Sequence, residues 1–403
     1  LFPFTKLLTR SLGRRAAPSG KHKSCPEPKY RYSSKRFLTP FMSSDTFYVL
    51  KNKPETKLSQ NTGYACLLRP WKTTSEEFLN STQTITSAHP ENRFIFALRF
   101  MAFPILTIVL YPLFIFGVGS DHFCIQGVWV IVLTYCLFCV GGSFHEAVHE
   151  TLFLNPATNR TVGRAIGVFI GIPFTVFKET HRQHHACLNT PGDYELWPYS
   201  DPAKSLTFRR TFVWLDLCLG IVTAPWIYGR IYFSRDSALK PEVRNTIRME
   251  YLSIVAVWLI LLGGLVLILH RRGYDWQQFD PVWLLPLLLS PVLNTARKFV
   301  EHLGLTSRDP LLGTRTVVGG NWFSRLSRYL NFDIAVHGPH HRYPKARHFE
   351  LAPRLRAYQQ QHTEVQVLVF RSYLSAFLHT LPYLWKNPAT GDHTAVGSSQ
   401  NIA

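Results

Sequence analysis

Charged residues are scarce. They make up 17% of the 403-residue chain, against roughly a quarter in an ordinary soluble domain. Acids are the scarcer sign, with 25 Asp and Glu against 44 Lys and Arg, and methionine occurs only 3 times. Cysteine is present but unpatterned: Cys25, Cys66, Cys124, Cys136, Cys139, Cys187 and Cys218 are odd in number and have no framework spacing. That argues against a disulfide scaffold. Cys136 and Cys139 form a CxxC inside an apolar run, where burial as small hydrophobes is the expectation. The residues that are abundant point elsewhere. Hydrophobic types reach 46% and aromatics 14%, which argues against disorder. The long apolar runs argue against an ordinary soluble enzyme. They also argue against nucleic acid as the partner, despite a net charge of +19.

The charge is unevenly placed. Residues 1–41 carry ten basic residues and one acid, Glu27, and so hold +9 of the total. No continuous apolar core of a signal peptide is visible there. A disordered basic leader is the expectation, with an Arg-rich, acid-poor transit-like segment as the alternative. A helix needs about 20 apolar residues to cross a bilayer. Residues 97–119, 124–143 and 251–269 meet that length, and 281–296 is a shorter fourth candidate interrupted by Pro286 and Pro291. Residues 161–177, with Arg164 and three glycines, read as re-entrant or interfacial. Residues 211–233 place Asp216 and Arg230 among Trp214, Trp226 and Tyr228, which suits the membrane interface. Four spans leave short outer loops whose basic residues are Arg271 and Arg272, whereas 297–388 carries thirteen basic residues against five acids. The positive-inside rule then puts both termini and the 144–249 loop in the cytosol.

Histidine is the informative excess. Eight of the 17 histidines fall in three windows: His145-Glu146-x-x-His149, His181-x-x-His184-His185 and His337-x-x-His340-His341. Residues three or four apart share one helix face, so each window can project its imidazoles together. His302, in Glu301-His302-Leu303-Gly304 past the fourth span, is a ninth candidate. Imidazole suits iron, zinc and copper. A catalytic zinc takes three protein ligands, so this many histidines suits two metals, and iron can cycle its oxidation state and activate O2.

With the three boxes HEAVH, HRQHH and HGPHH in this order, the chain resembles the membrane fatty-acid desaturase superfamily over roughly residues 95–365. The resemblance implies a di-iron centre that uses O2 and two electrons to attack an unactivated C–H bond. It implies His145, His149, His181, His184, His185, His337, His340 and His341 as ligands. The EHLG around His302 resembles an extra histidine motif of related alkane hydroxylases, which makes His302 a further ligand. The fold expected is all-α: a multi-pass membrane helical domain of about four spans, with a cytosolic helical cap carrying the histidine-rich di-iron site. Its expected divisions are a leader at 1–41, a cytosolic segment at 42–94, the membrane domain at 95–365 and a tail at 366–403. The third box departs from front-end desaturases in starting with His337 rather than Gln, and His89-Pro90-Glu91-Asn92 is not a cytochrome b5 haem motif. A separate electron donor of ferredoxin or cytochrome b5 type is therefore expected. The basic, aromatic tail beyond His348 is either its receiving surface, a lipid contact or a solvated cap.

Metal-bound imidazoles usually donate their free N–H to a carboxylate or carbonyl. Glu146, Glu150, Asn189, Asp193, Glu301 and Asp333 lie close enough in sequence to serve, though Thr190-Pro191-Gly192-Asp193 also reads as an ordinary turn. Pro339 either kinks the third box or sits in a first helical turn, where proline is tolerated. The reaction expected is acyl-chain desaturation. Hydroxylation of alkyl or acyl chains, and carotenoid or sphingolipid oxidation, are the alternatives. An intramembrane zinc protease using HEAVH, with Glu146 as base, would leave the other two boxes unexplained. A transporter would place its ligands at mid-span.

Overall fold

The computed structural model describes residues 93–391, except 116, 118–121, 236, 238, 276 and 278. The expected leader at 1–41, residues 42–92 and the end of the tail lie outside the described residues. Where it is described, the chain is helical. The one sheet is two residues wide on each strand, with β1 (Thr316–Val317) parallel to β2 (Val369–Phe370).

Among the described residues, three helices are long and apolar enough to cross a membrane: α1 (Arg93–Ile115), α2 (Phe123–His149) and α7 (Pro241–Arg271). They correspond to the first, second and third expected spans. The α2 helix has 27 residues and so runs about 40 Å, roughly a third longer than the hydrocarbon thickness. Its surplus length carries His145 and His149 beyond the apolar stretch. It ends at Glu150, whose left-handed backbone (φ 61°) donates its N–H to the Ala147 and Glu146 carbonyls. Burial grows along α2, and every residue from Ser143 to His149 is buried. The α7 helix is the opposite case: only 6% of its most apolar window is buried inside the protein. Apart from the buried Ile247 and Ile254, its leucines and isoleucines are largely exposed, as a lipid-contacting helix requires.

The two stretches read as re-entrant or interfacial are both bent helix pairs. Helix α3 (Pro156–Ile170) meets α4 (Phe174–Ala186) at 105°, and α5 (Leu206–Cys218) meets α6 (Gly220–Phe233) at 118°. Asn155 caps α3 by accepting from the Ala157 N–H, with Pro156 in the first turn. The first bend is tight: a Cβ on Gly163 would lie 2.3 Å from the Phe174 ring. Within the first pair, α4 brings the second histidine box beside the first.

The fourth expected span falls on α8 (Leu285–His302), an 18-residue helix entered through a single-turn 3-10 helix, Pro281–Leu284, and this helix is not among those apolar enough to cross a membrane. It packs against α2 and α6. The charges at its C-terminal end, Arg297, Lys298 and Glu301, set it apart from the three apolar spans. Three short helices follow: α9 (Trp322–Leu330), α10 (His337–Arg342) and α11 (His348–Gln361). The chain closes with α12 (Tyr373–Trp385). Phe370 and Phe377 pack on Val300, Val317 and Ala335, so the segment after 366 is joined to the body. Phe332 and Asp333 both have positive φ, 53° and 52°, a conformation unfavourable for such side chains. It is held by full burial of Phe332 and turns the chain into the third box. Pro339 lies in the first turn of α10, where it breaks no helical hydrogen bond.

Candidate metal centre

Nine buried or half-buried histidines converge from α2, α4, α8 and α10. His145, His149, His181 and His340 each bring one ring nitrogen to within 4.8 Å of the others, and His184, His302, His337 and His341 form a second such group. Helix geometry explains the division. Positions four apart differ by only about 40° around the axis, whereas positions three apart differ by about 60° the other way. Hence the pairs 145/149 and 337/341 stay within one group, while 181/184 and 337/340 split between two. By the same rule His185 goes with His181, and their Nε2 atoms are 3.1 Å apart. His185 also stacks on His341, at 4.1 Å between ring centroids, and so stands between the groups.

Close nitrogens of this kind need an explanation. His337 Nε2 is 2.7 Å from His302 Nε2 and 3.0 Å from His341 Nε2, and His181 Nε2 is 2.9 Å from His149 Nε2. For two of these rings the tautomer follows from the outer partner. His181 Nδ1 faces Glu195 Oε2 at 2.7 Å and His184 Nδ1 faces Asp193 Oδ2 at 2.8 Å. A carboxylate accepts, so Nδ1 carries the proton and the Nε2 lone pair points inward. His145 Nε2 and His340 Nε2 are buried without a hydrogen-bond partner, as are Nδ1 of His185, His302 and His341. Inward lone pairs and unpartnered ring nitrogens at this density are the donor set of an imidazole-bound metal. Burial, reinforced by the neighbouring rings, holds His340 and His341 below the ordinary histidine pKa, in the neutral form that binds metal.

The turn after α4 is built for its task. Asp193 uses Oδ1 to accept the N–H groups of Glu195 and Leu196, both at 3.1 Å. That turn aims Glu195 back at His181 while Oδ2 takes His184. Burial alone would raise the Glu195 carboxyl. The adjacent His181 and His184 instead hold it below the usual carboxylate range, so it is ionised. Glu195→Ala is expected to weaken iron retention by about 10- to 100-fold, read by competition with a soluble chelator. Retention equal to wild type would show that another group orients His181.

The other expected acids fare differently. Glu301 Oε2 lies 3.6 Å from His337 Nδ1, which also has the Ile334 carbonyl at 3.2 Å. Glu146 is buried, 3.4 Å from the Nδ1 of its neighbour His145, and accepts from Thr151 Oγ1 at 2.6 Å. Asp333 meets His348 Nδ1 at 3.0 Å and pairs with Arg328, rather than meeting a box histidine. His348 Nε2 in turn meets Arg99 at 2.8 Å. Asn189 donates to the carbonyls of Ser307 and Gly313 and so pins two loops together. Glu150 points to Lys178 and Lys345. Glu195 and His348 were not anticipated. Glu195 carries the same signal as Asp193, an acid in the turn behind a box, two residues further on.

A cleft opens beside the histidines. Leu137, Phe144, Phe177, Ile221, Ala224 and Ile227 contribute apolar wall, and His145, His181, His184, His302 and His337 also line it. Helices α6 and α8 flank it and touch at Gly220, where a Cβ would lie 3.0 Å from the Pro291 carbonyl and from Thr295 Oγ1. Glu146 is not part of the lining.

Known proteins match this chain in sequence. A family model described as "Fatty acid desaturase" matches residues 123–373, which contain all nine histidines. A "Fatty acid desaturase" of Bacillus subtilis (strain 168) is 24% identical over 228 residues, covering 52% of this chain and 61% of its own length. An "Omega-6 fatty acid desaturase, chloroplastic" of Spinacia oleracea is 22% identical over 220 residues, covering 51% of this chain and 47% of its own length. The chain therefore spans about half to three fifths of these relatives.

Proposed function

Because the chain belongs to the fatty acid desaturase family, we propose that its two histidine groups hold two irons and that it introduces a double bond into a lipid acyl chain. The observation that carries this reading is the pair of adjacent, buried imidazole groups beside an apolar cleft. His145, His149, His181, His185 and His340 would hold one iron, and His184, His302, His337 and His341 the other. Bound iron would supply the redox chemistry: overall, O2 would take two hydrogens from adjacent carbons, two electrons from a donor and two protons from water, so that both oxygen atoms leave as water.

The chain's own residues do the rest. The apolar wall accepts the hydrocarbon and excludes water from it. Glu195 and Asp193 fix the rings of His181 and His184 and keep their protons on the outer nitrogens. Glu146, held by Thr151 and away from the cleft, is poorly placed as the base of a zinc protease. We place the histidine site on the cytosolic face from the basic excess of 297–388. A separate ferredoxin- or cytochrome b5-type donor supplies the electrons.

The test is expression in a host of known lipid composition, with acyl chains profiled by mass spectrometry. Loss of two hydrogens is expected, and it should vanish in His184→Ala. Gain of one oxygen would mark hydroxylation instead. A wild-type product that persists in His184→Ala would contradict the reading.

A further inference from the structure

The cleft contains a cation that the proposed chemistry does not use. Arg297, on α8, lines it together with His302 and His337. Its side chain is 15% exposed, its nearest carboxyl is Glu301, whose Oε2 lies 3.9 Å from Nε, and its guanidinium lies 5.9 Å from the centre of the Phe138 ring. Both Nε and Nη1 are buried without a hydrogen-bond partner. The adjacent Lys298 shows what a satisfied cation looks like here, with Nζ 2.7 Å from Asp216 Oδ2. Arg297 is also close to the metal centre: the Glu301 oxygen it approaches is 3.6 Å from His337 Nδ1. If Arg297 served only to neutralise Glu301, Nη1 would have no reason to stay unpaired. Buried charged donors are costly to leave unmet.

We propose that Arg297 is a substrate-binding residue whose guanidinium takes an oxygen acceptor on an otherwise apolar chain, close to the carbons that react. The proposal rests on the lipid-oxidising reading above and narrows its substrate class. A plain hydrocarbon lying in this cleft leaves the donors unmet. A chain carrying a hydroxyl, carbonyl or carboxylate oxygen at that point satisfies them. Asn294 and Thr295, also in the lining, make the α8 side of the cleft the polar one. A site built to hydrogen-bond an oxygen rejects the analogue that lacks it.

The experiment is thermal melting of the purified, iron-loaded full chain in detergent with three probes of equal length: hexadecane, hexadecanol and palmitic acid. Iron per chain is measured on the same samples. At least one oxygenated probe is expected to raise the melting temperature where hexadecane does not. Arg297→Met should keep its iron and weaken half-saturation by at least about tenfold, and Arg297→Lys should recover part of it. Equal stabilisation by hexadecane, no stabilisation by either oxygenated probe, or unchanged binding in Arg297→Met would overturn the proposal. If Arg297→Met does not fold, the three-probe comparison on wild type still decides. Loss of iron from wild type would count against the metal centre instead, so the two failures are distinguishable.

Discussion

Replacing His302 with alanine is expected to lower bound iron from two per chain to one and to reduce lipid oxidation below detection. His302 lies outside the three boxes, at the last turn of α8, and its Nε2 is 2.7 Å from His337 Nε2. Its Nδ1 is buried without a partner, and its hydrogen-bond contact is with another histidine of the same group. In the second group of four it is the member contributed by α8; the others come from α4 and α10. Removing it opens that group toward the cleft. Elemental analysis and the acyl-lipid profile of the same preparation check both halves of the expectation. Two irons and full activity in His302→Ala would make His302 a packed helix-end histidine.

Asp216→Ala should be the most destabilising substitution away from the histidines. Asp216 is fully buried and joins three elements. Its Oδ2 accepts from Lys298 Nζ at 2.7 Å and from the Tyr199 hydroxyl at 3.3 Å, while Oδ1 accepts from Thr223 Oγ1 at 2.6 Å. Removing the carboxylate leaves the largely buried Lys298 ammonium without its anion, at a cost of about 3–5 kcal/mol. Thermal melting in detergent reads the loss. Removing both charges in Asp216→Leu with Lys298→Met should recover much of it, because the uncompensated charge is then gone. A loss below about 1 kcal/mol for Asp216→Ala, the level of an exposed pair, would contradict this account of how α5, α6 and α8 are tied together.

The boxes were legible because their spacing is a local property of helices. What spacing alone left open was the partition. Residues three and four apart both count as sharing a face by spacing, and the structure separates those three apart, sending His181 and His184 to different groups while His145 stays with His149. The bent pairs α3–α4 and α5–α6 were foreshadowed by charges and glycines interrupting apolar runs. The fourth expected span was misread, because α8 buries polar and charged residues, among them Thr295, Glu301 and His302, and packs against α2 and α6. Long-range contacts escaped. Asp216 read as an interfacial charge because its partner Lys298 is 82 residues away. Asp333, one turn before His337 in sequence, is turned by its left-handed backbone toward His348 instead. Arg297 looked like one more basic residue past a span until the cleft placed it beside the histidines.

The central claim is that the nine histidines hold two irons. Elemental analysis of the purified full chain, with metals counted per protein, tests it most directly. The account predicts two irons per chain, falling when a residue of either group is replaced. One zinc per chain, or iron content unmoved by those replacements, would contradict it.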